Sequence, residues 1–223
     1  MKIFIPMAGK GTRLRPFTLT CPKPLINILD KPIVEHLIDQ ITSKVKSSID
    51  EIVYILGDES YFNSDVVNSL KLISEKYNAK TKIYRQLEQL GTGHAIMCAE
   101  ESLSGPSIIA YADTMIQGNI EIDTHVDGIM WVKKVDNPSA YGVVNLDNEN
   151  KITELIEKPA DFISDLAVVG IYYFKEASNL RGYLKKHLSE KLSPGKEYLL
   201  NYGIEKMIKN GDTFIPKEID VWM

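Results

Sequence analysis

The chain has 223 residues, enough for one large domain or two small ones, and enough to bury a core without disulfide or metal staples. Its formal net charge of -4 excludes a general nucleic-acid binder, which carries a basic excess, so local cationic stretches have to be read as sites. No run approaches the ~20 apolar residues of a membrane span, and the apolar start, Met1 to Pro6, is too short for a secretion signal.

The first half alternates short apolar runs with helical patterns. "KIFIP" (2–6) predicts a strand. "PIVEHLIDQITSKV" (32–45) has apolar residues at helical spacing, with Pro32 suited to a first turn. "EIVYIL" (51–56) predicts a second buried strand, and 63–76 a helix with Val66, Val67, Leu70 and Ile73 inward. "TKIYR" (81–85) is a third strand, a helix starts near Gly91, and "PSIIAYAD" (106–113) is a fourth strand ending on an acid. This rhythm implies an α/β fold, Rossmann-like, with a doubly wound, mostly parallel sheet between helical layers.

The second half changes character. Strands are predicted at 128–135, 141–146, 151–159 and 166–174, with a hairpin turn at 147–150 and helices near 176–187 and 197–210. We read one domain over 1–223: a nucleotide-handling half, 1–125, and a half, 126–223, whose strands add a small antiparallel wall on the substrate side. Open parallel sheets bind ligands beyond the carboxyl ends of their strands, so chemistry is expected in the loops after 2–6, 81–85 and 106–113.

"MAGKGTRLRPFTLTCPKP" follows the first strand directly. Its glycines let the backbone approach a phosphate, and consecutive amides can form an anion-binding nest. Arg13 offers a planar fork for phosphate oxygens and Lys23 a compact charge. This is no Walker A loop, since Phe4 stands where that motif needs glycine. The cysteines, Cys21 and Cys98, have no metal or disulfide spacing, and a reducing cytoplasmic setting is expected.

"GKGTRLRPFTLTCPKPL" resembles the signature of the sugar-1-phosphate nucleotidylyltransferases. The resemblance covers 1–174 well and the remainder loosely. It implies a reaction of a nucleoside triphosphate with a sugar 1-phosphate, giving a nucleotide sugar and pyrophosphate. It assigns Arg13 to the triphosphate and leaving pyrophosphate and Lys23 to phosphate near the reacting phosphorus, with Ala8, Gly9, Gly11 and Thr12 lining the nucleotide. In "RQLEQLGTGHA", Gln86 and Gly91 would read the base, with Thr92 nearby. A glutamine amide presents a donor and an acceptor, which suits uracil or thymine. The stretch is similar to that of N-acetylglucosamine-1-phosphate uridylyltransferases, which favours UTP, with dTTP next. His94 reads as a helix-face residue.

The resemblance gives Asp113 the role of holding Mg²⁺ against substrate phosphates. Thr114 departs from the asparagine common in the family, which puts a sugar contact in doubt. On the sugar side it implies Gly142, Glu157, Lys158, Val168 and Gly170, carried by "YGVV", "EKP" and "AVVGIYYF". The family pattern closes with an aromatic, one residue and a second metal-binding Asp. Here "DVWM" would put that acid at position 224, and Asp220, four residues away, is about 13 Å distant at ~3.3 Å per residue. The chain thus reads as truncated or as a short form, with weakened metal binding expected. Two other readings stay open: a cytidylyltransferase for phosphocholine-like phosphates, and a non-catalytic nucleotide-binding regulatory protein. No nucleic-acid or membrane partner is expected, and self-association is left open.

Overall fold

The computed structural model describes every residue except Lys46 and Asn119 and, beyond its backbone, Arg13. In chain order the elements are β1 (Lys2–Pro6), β2 (Asn27–Ile28), β3 (Lys31–Pro32), α1 (Ile33–Thr42), β4 (Glu51–Leu56), α2 (Ser64–Glu75), β5 (Lys80–Arg85), α3 (Thr92–Met97) and β6 (Ser107–Ala110). There follow β7 (Ile116–Gln117), β8 (Gly128–Lys134), β9 (Gly142–Leu146), β10 (Ile152–Glu157), β11 (Leu166–Phe174), α4 (Ala177–Leu188), α5 (Leu200–Lys209), β12 (Phe214–Glu218) and β13 (Val221–Trp222).

A nine-stranded sheet runs β10-β9-β11-β6-β1-β4-β5, with β8 pairing β11 and β12 pairing β8. Strands β6, β1, β4 and β5 are mutually parallel. The chain builds outward from β1 through β4 to β5, then returns to lay β6 on the other side of β1. That reversal leaves a crevice beyond the carboxyl ends of β1 and β6, where open α/β sheets take ligands. Antiparallel β11 then continues the same sheet into the later strands. Two small antiparallel sheets, β2–β3 and β7–β13, lie apart from it.

Alternation along β1 divides the core. Ile3 and Ile5 pack with Leu37, Ile38 and Ile41 of α1 and Leu70 and Ile73 of α2. Phe4, on the opposite face, packs with Ile96 of α3, Leu180 and Leu184 of α4, and Ile204 and Met207 of α5. This period-2 sorting is what a strand covered on both faces requires. Capping sets helix starts: the Asn63 side chain accepts from the amides of Asp65 and Val66 to open α2.

Three details differ from the sequence expectation. The strand predicted over 106–113 ends at Ala110, and residues 111–114 turn, with the Thr114 amide donating to the Tyr111 carbonyl. Asp113 is therefore a turn residue rather than the last strand residue. The opening loop contains three 3-10 turns, Thr12–Leu14, Phe17–Leu19 and Lys23–Leu25, which hydropathy alone does not mark. The short strands β2, β3 and β7 and the edge strand β12 are likewise absent from the sequence expectation.

Candidate active site

The opening loop is folded back on itself. Gly11 has φ 59°, and a Cβ there would sit 3.0 Å from the Lys23 Cβ and 3.1 Å from Thr18 Cγ2. The Thr18 hydroxyl donates to the Gly11 carbonyl at 2.9 Å. The Tyr61 hydroxyl lies 2.6 Å from the Thr18 carbonyl and 3.0 Å from that of Cys21, tying the far end of the loop to the segment before α2. Gln89 donates to the Ala8 carbonyl at 3.1 Å. The loop thereby forms one wall of a cleft of about 500 Å³, to which Ala8, Gly9, Gly11, Thr12 and Lys23 all contribute. Arg13 lies in the Thr12–Leu14 turn; its side chain is outside the described residues.

The opposite wall carries Gln86, Gly91 and Thr92. Gln86 is nearly buried, and its side-chain nitrogen lies 3.0 Å from the Gly91 carbonyl and 3.1 Å from His94 Nδ1. Gly91 has φ 119°, and a Cβ would meet the Tyr198 carbonyl at 2.6 Å, so only glycine fits. The segment before α5 docks here: the Tyr198 amide donates to Leu90 and its carbonyl accepts from Gly93. Burial holds the His94 imidazole below its ordinary value, opposed by the Glu88 charge and backbone. His94 is thus tied to the base-reading glutamine, a contact that its place on a helical face does not reveal.

Asp113 and Lys23 meet on the floor, Nζ to Oδ2, at 2.8 Å. The Asp113 side chain is 54% exposed. Among the described residues no group of three or more His, Cys, Asp or Glu could cage a metal. A single open carboxylate still suits Mg²⁺, which takes one or two protein carboxylates and completes its shell with phosphate oxygens and water. Asp113 is the residue that would hold it. Strand β13 runs toward this point: Met223 and Met115 exchange both backbone hydrogen bonds. The Asp220 carbonyl accepts from Lys133 at 2.8 Å.

A second cavity of about 330 Å³ adjoins the first, and Thr92, Tyr111 and Asp113 line both. Tyr111 is the partition. Its hydroxyl faces Thr92 and Tyr172, its ring meets that of Tyr172 edge-on at 6.0 Å, and burial pushes its pKa up to about 12. Gly170 makes room for it: φ is 90°, and a Cβ would lie 2.5 Å from the Tyr111 ring. Gly142, Glu157, Val168 and Gly170 all line this cavity, as does Thr114. Glu157 accepts from Asn201 at 2.8 Å, and Asn201 accepts from the Tyr172 hydroxyl at 3.3 Å. Lys158 stands apart. It is exposed, lines neither cavity, and has φ 46°, with its amide donating to Tyr141.

Sequence reasoning does not single out Tyr111, Asn201, Gln89 or the Tyr141–Trp222 pair, whose rings approach to 4.9 Å beside the second cavity. Tyr111 and Asn201 each carry a weak local signal, one two residues before the acid and the other opening a helix. Neither declares a partner that only the fold brings near.

Comparison with known proteins gives the family. The family profile Nucleotidyl transferase matches residues 4–221. The chain is 34% identical over 215 residues to the bifunctional protein GlmU of Methanococcus maripaludis, covering 95% of this chain and 48% of that protein. It therefore spans about half the length of that relative. It is 29% identical over 231 residues to the UTP–glucose-1-phosphate uridylyltransferase AglF of Haloferax volcanii, covering 100% of this chain and 89% of that protein. In fold it resembles a Bacillus anthracis chain assigned as a glucose-1-phosphate thymidylyltransferase, with a TM-score of 0.81, 23% identity, and coverage of 100% and 88%. The chain belongs to the nucleotidyl transferase family, the sugar-1-phosphate nucleotidylyltransferases whose signature its opening loop carries.

Proposed function

We propose that the chain acts in the cytoplasm, transferring a uridylyl or thymidylyl group from UTP or dTTP to a sugar 1-phosphate and releasing pyrophosphate. The observation that carries this reading is the shared floor: two cavities, one walled by a glycine-rich cationic loop and one by Glu157, Gly142 and Gly170, abut at Thr92, Tyr111 and Asp113. A reaction joining two phosphorylated substrates needs such a junction. The similarity to a UTP-using relative of near-equal length supports the nucleotide class.

In this reading the sugar phosphate oxygen attacks the α-phosphorus in line and pyrophosphate leaves. Positioning and charge neutralisation supply most of the catalysis in phosphoryl-type transfer. Lys23 lies at the junction and neutralises the reacting phosphate; the family pattern assigns Arg13 to the leaving pyrophosphate; Lys158, which lines neither cavity, is assigned to the sugar phosphate by the family pattern alone. Mg²⁺ bound at Asp113 would spread negative charge over the phosphate oxygens. Gln86 and Gly91 hold the base, and Glu157 accepts from sugar hydroxyls.

Pyrophosphate release tests the reading. The chain is incubated with Mg²⁺, each of five nucleoside triphosphates and a panel of sugar 1-phosphates. Release confined to UTP or dTTP with one sugar phosphate is expected. Tight nucleotide binding with no release from any pair would replace the transferase reading with a binding role.

A further inference from the structure

The orientation of the Gln86 amide is fixed by its neighbours. The Gly91 carbonyl can only accept, so the Gln86 side-chain atom 3.0 Å from it is the nitrogen. The same nitrogen lies 3.1 Å from His94 Nδ1. With one hydrogen given to Gly91, the other points at Nδ1, which must be unprotonated. His94 then carries its proton on Nε2. Both Gln86 donors are spent inside the protein, and only Oε1 is left for a ligand. No buried side-chain nitrogen or oxygen among the described residues lacks a partner, so Oε1, which has none among them, is open to the cleft that Gln86 lines. The Gly91 amide, in the same wall, is likewise without a partner among the described residues.

We infer that His94 is a positioning residue: by locking Gln86 with its acceptor outward, it makes the wall an acceptor beside a donor, which admits bases with a ring N–H next to a carbonyl and rejects those without. Uracil, thymine and guanine have that edge. In the register that sets the ring nitrogen against Oε1, cytosine and adenine present a bare nitrogen there and an amino group to the Gly91 amide, acceptor against acceptor and donor against donor. This rests on the proposed nucleotide role of the cleft and adds a residue outside the base contacts themselves. A glutamine free to rotate its amide would serve either class of base, which is why the lock matters for selection rather than for affinity alone.

The test is calorimetric binding of UTP, GTP, CTP and ATP with Mg²⁺ and no sugar phosphate, in the wild-type chain, His94→Leu and His94→Asn. Wild type is expected to prefer UTP over CTP by about a hundredfold, the cost of leaving buried polar groups unmade. His94→Leu removes the second of the two acceptors on the amide nitrogen and leaves the Gly91 carbonyl as its only hold, and the preference falls to about tenfold. Asparagine can return an oxygen near the Nδ1 position, so His94→Asn restores most of the preference. A purely structural role would weaken all nucleotides together and leave the ratio unchanged; an unchanged ratio in His94→Leu overturns the inference. Equal wild-type affinity for UTP and CTP also overturns it while leaving the nucleotide site standing. No binding of any nucleotide removes the site itself. Nitrogen NMR of the imidazole is independent of any variant: the Nε2–H tautomer is expected at neutral pH, and a proton on Nδ1 refutes the lock.

Discussion

Lys23 Nζ and Asp113 Oδ2 form an ion pair at 2.8 Å although 90 residues separate them. The two loops meet because they follow β1 and β6, parallel neighbours in the sheet. In the proposed reaction these two groups have different partners, a phosphate for the lysine and Mg²⁺ for the carboxylate. In the free site they neutralise each other, and a metal–triphosphate complex can replace both halves of the pair at once. Replacing Lys23 by methionine is expected to lower turnover by about 10²–10³-fold, the usual cost of one charge-stabilising donor. The melting temperature should barely move, since half-exposed ion pairs contribute about 0–1 kcal/mol. Turnover close to wild type in Lys23→Met would take the lysine out of the chemistry.

On the sugar side, Asn201 holds the carboxylate. It donates to Glu157 at 2.8 Å while accepting from Tyr172, whose own hydroxyl burial keeps neutral and available as a donor. Loss of that brace in Asn201→Ala should raise KM for the sugar 1-phosphate by about tenfold, one hydrogen bond to a charged group, and leave KM for the nucleotide unchanged. Equal rises in both would mean that Asn201 supports the fold rather than the sugar cavity.

The order of strands and helices is legible in the sequence because β1, β4 and β11 are largely continuous apolar runs and α1 and α2 have clear helical spacing. The opening loop is legible as a candidate site because glycines and cations cluster there without serving a core, and 86–92 because an amide side chain and a glycine stand between a strand and a helix. Long-range pairing is not. Nothing in "AYADT" tells that Tyr111 wedges against Gly170, or that Asp113 turns toward Lys23. The β12 edge escapes notice because its segment, interrupted by Pro216, shows no clean alternation. His94 reads as a mere face residue because its partner is fixed by tautomer and distance, which periodicity does not encode.

Gly170 offers a sharp packing test. Its φ of 90° is strained for any side chain, and a Cβ would stand 2.5 Å from the ring of Tyr111, which is held between the two cavities. Gly170→Ala should cost about 2–4 kcal/mol through backbone strain and overpacking. Gly105 also has positive φ, 68°, but a Cβ there would meet nothing within 4 Å, so Gly105→Ala should cost only about 1 kcal/mol. Denaturant unfolding of the two variants compares strain alone with strain plus collision; equal losses would mean that Tyr111 yields freely.

Asp39 gives a pH prediction away from the site. Burial pushes its pKa up, but hydrogen bonds from Lys31 and Tyr77, with the Lys31 charge, outweigh this and hold the carboxyl below its ordinary value. A carboxylate depressed in the folded state binds fewer protons there than in the unfolded chain. Its stabilisation is therefore complete above the unfolded value near ~3.9 and is lost as pH falls through the lower folded value. Asp39→Asn should then be less stable than wild type at pH 7, by about 1 kcal/mol for a partly exposed pair with one added hydrogen bond. The gap should close as the pH of chemical unfolding is lowered from 5 toward 3, because wild type loses what the variant never had. A gap that persists at pH 3 would assign the loss to packing between α1 and the end of α2 instead of to the charge.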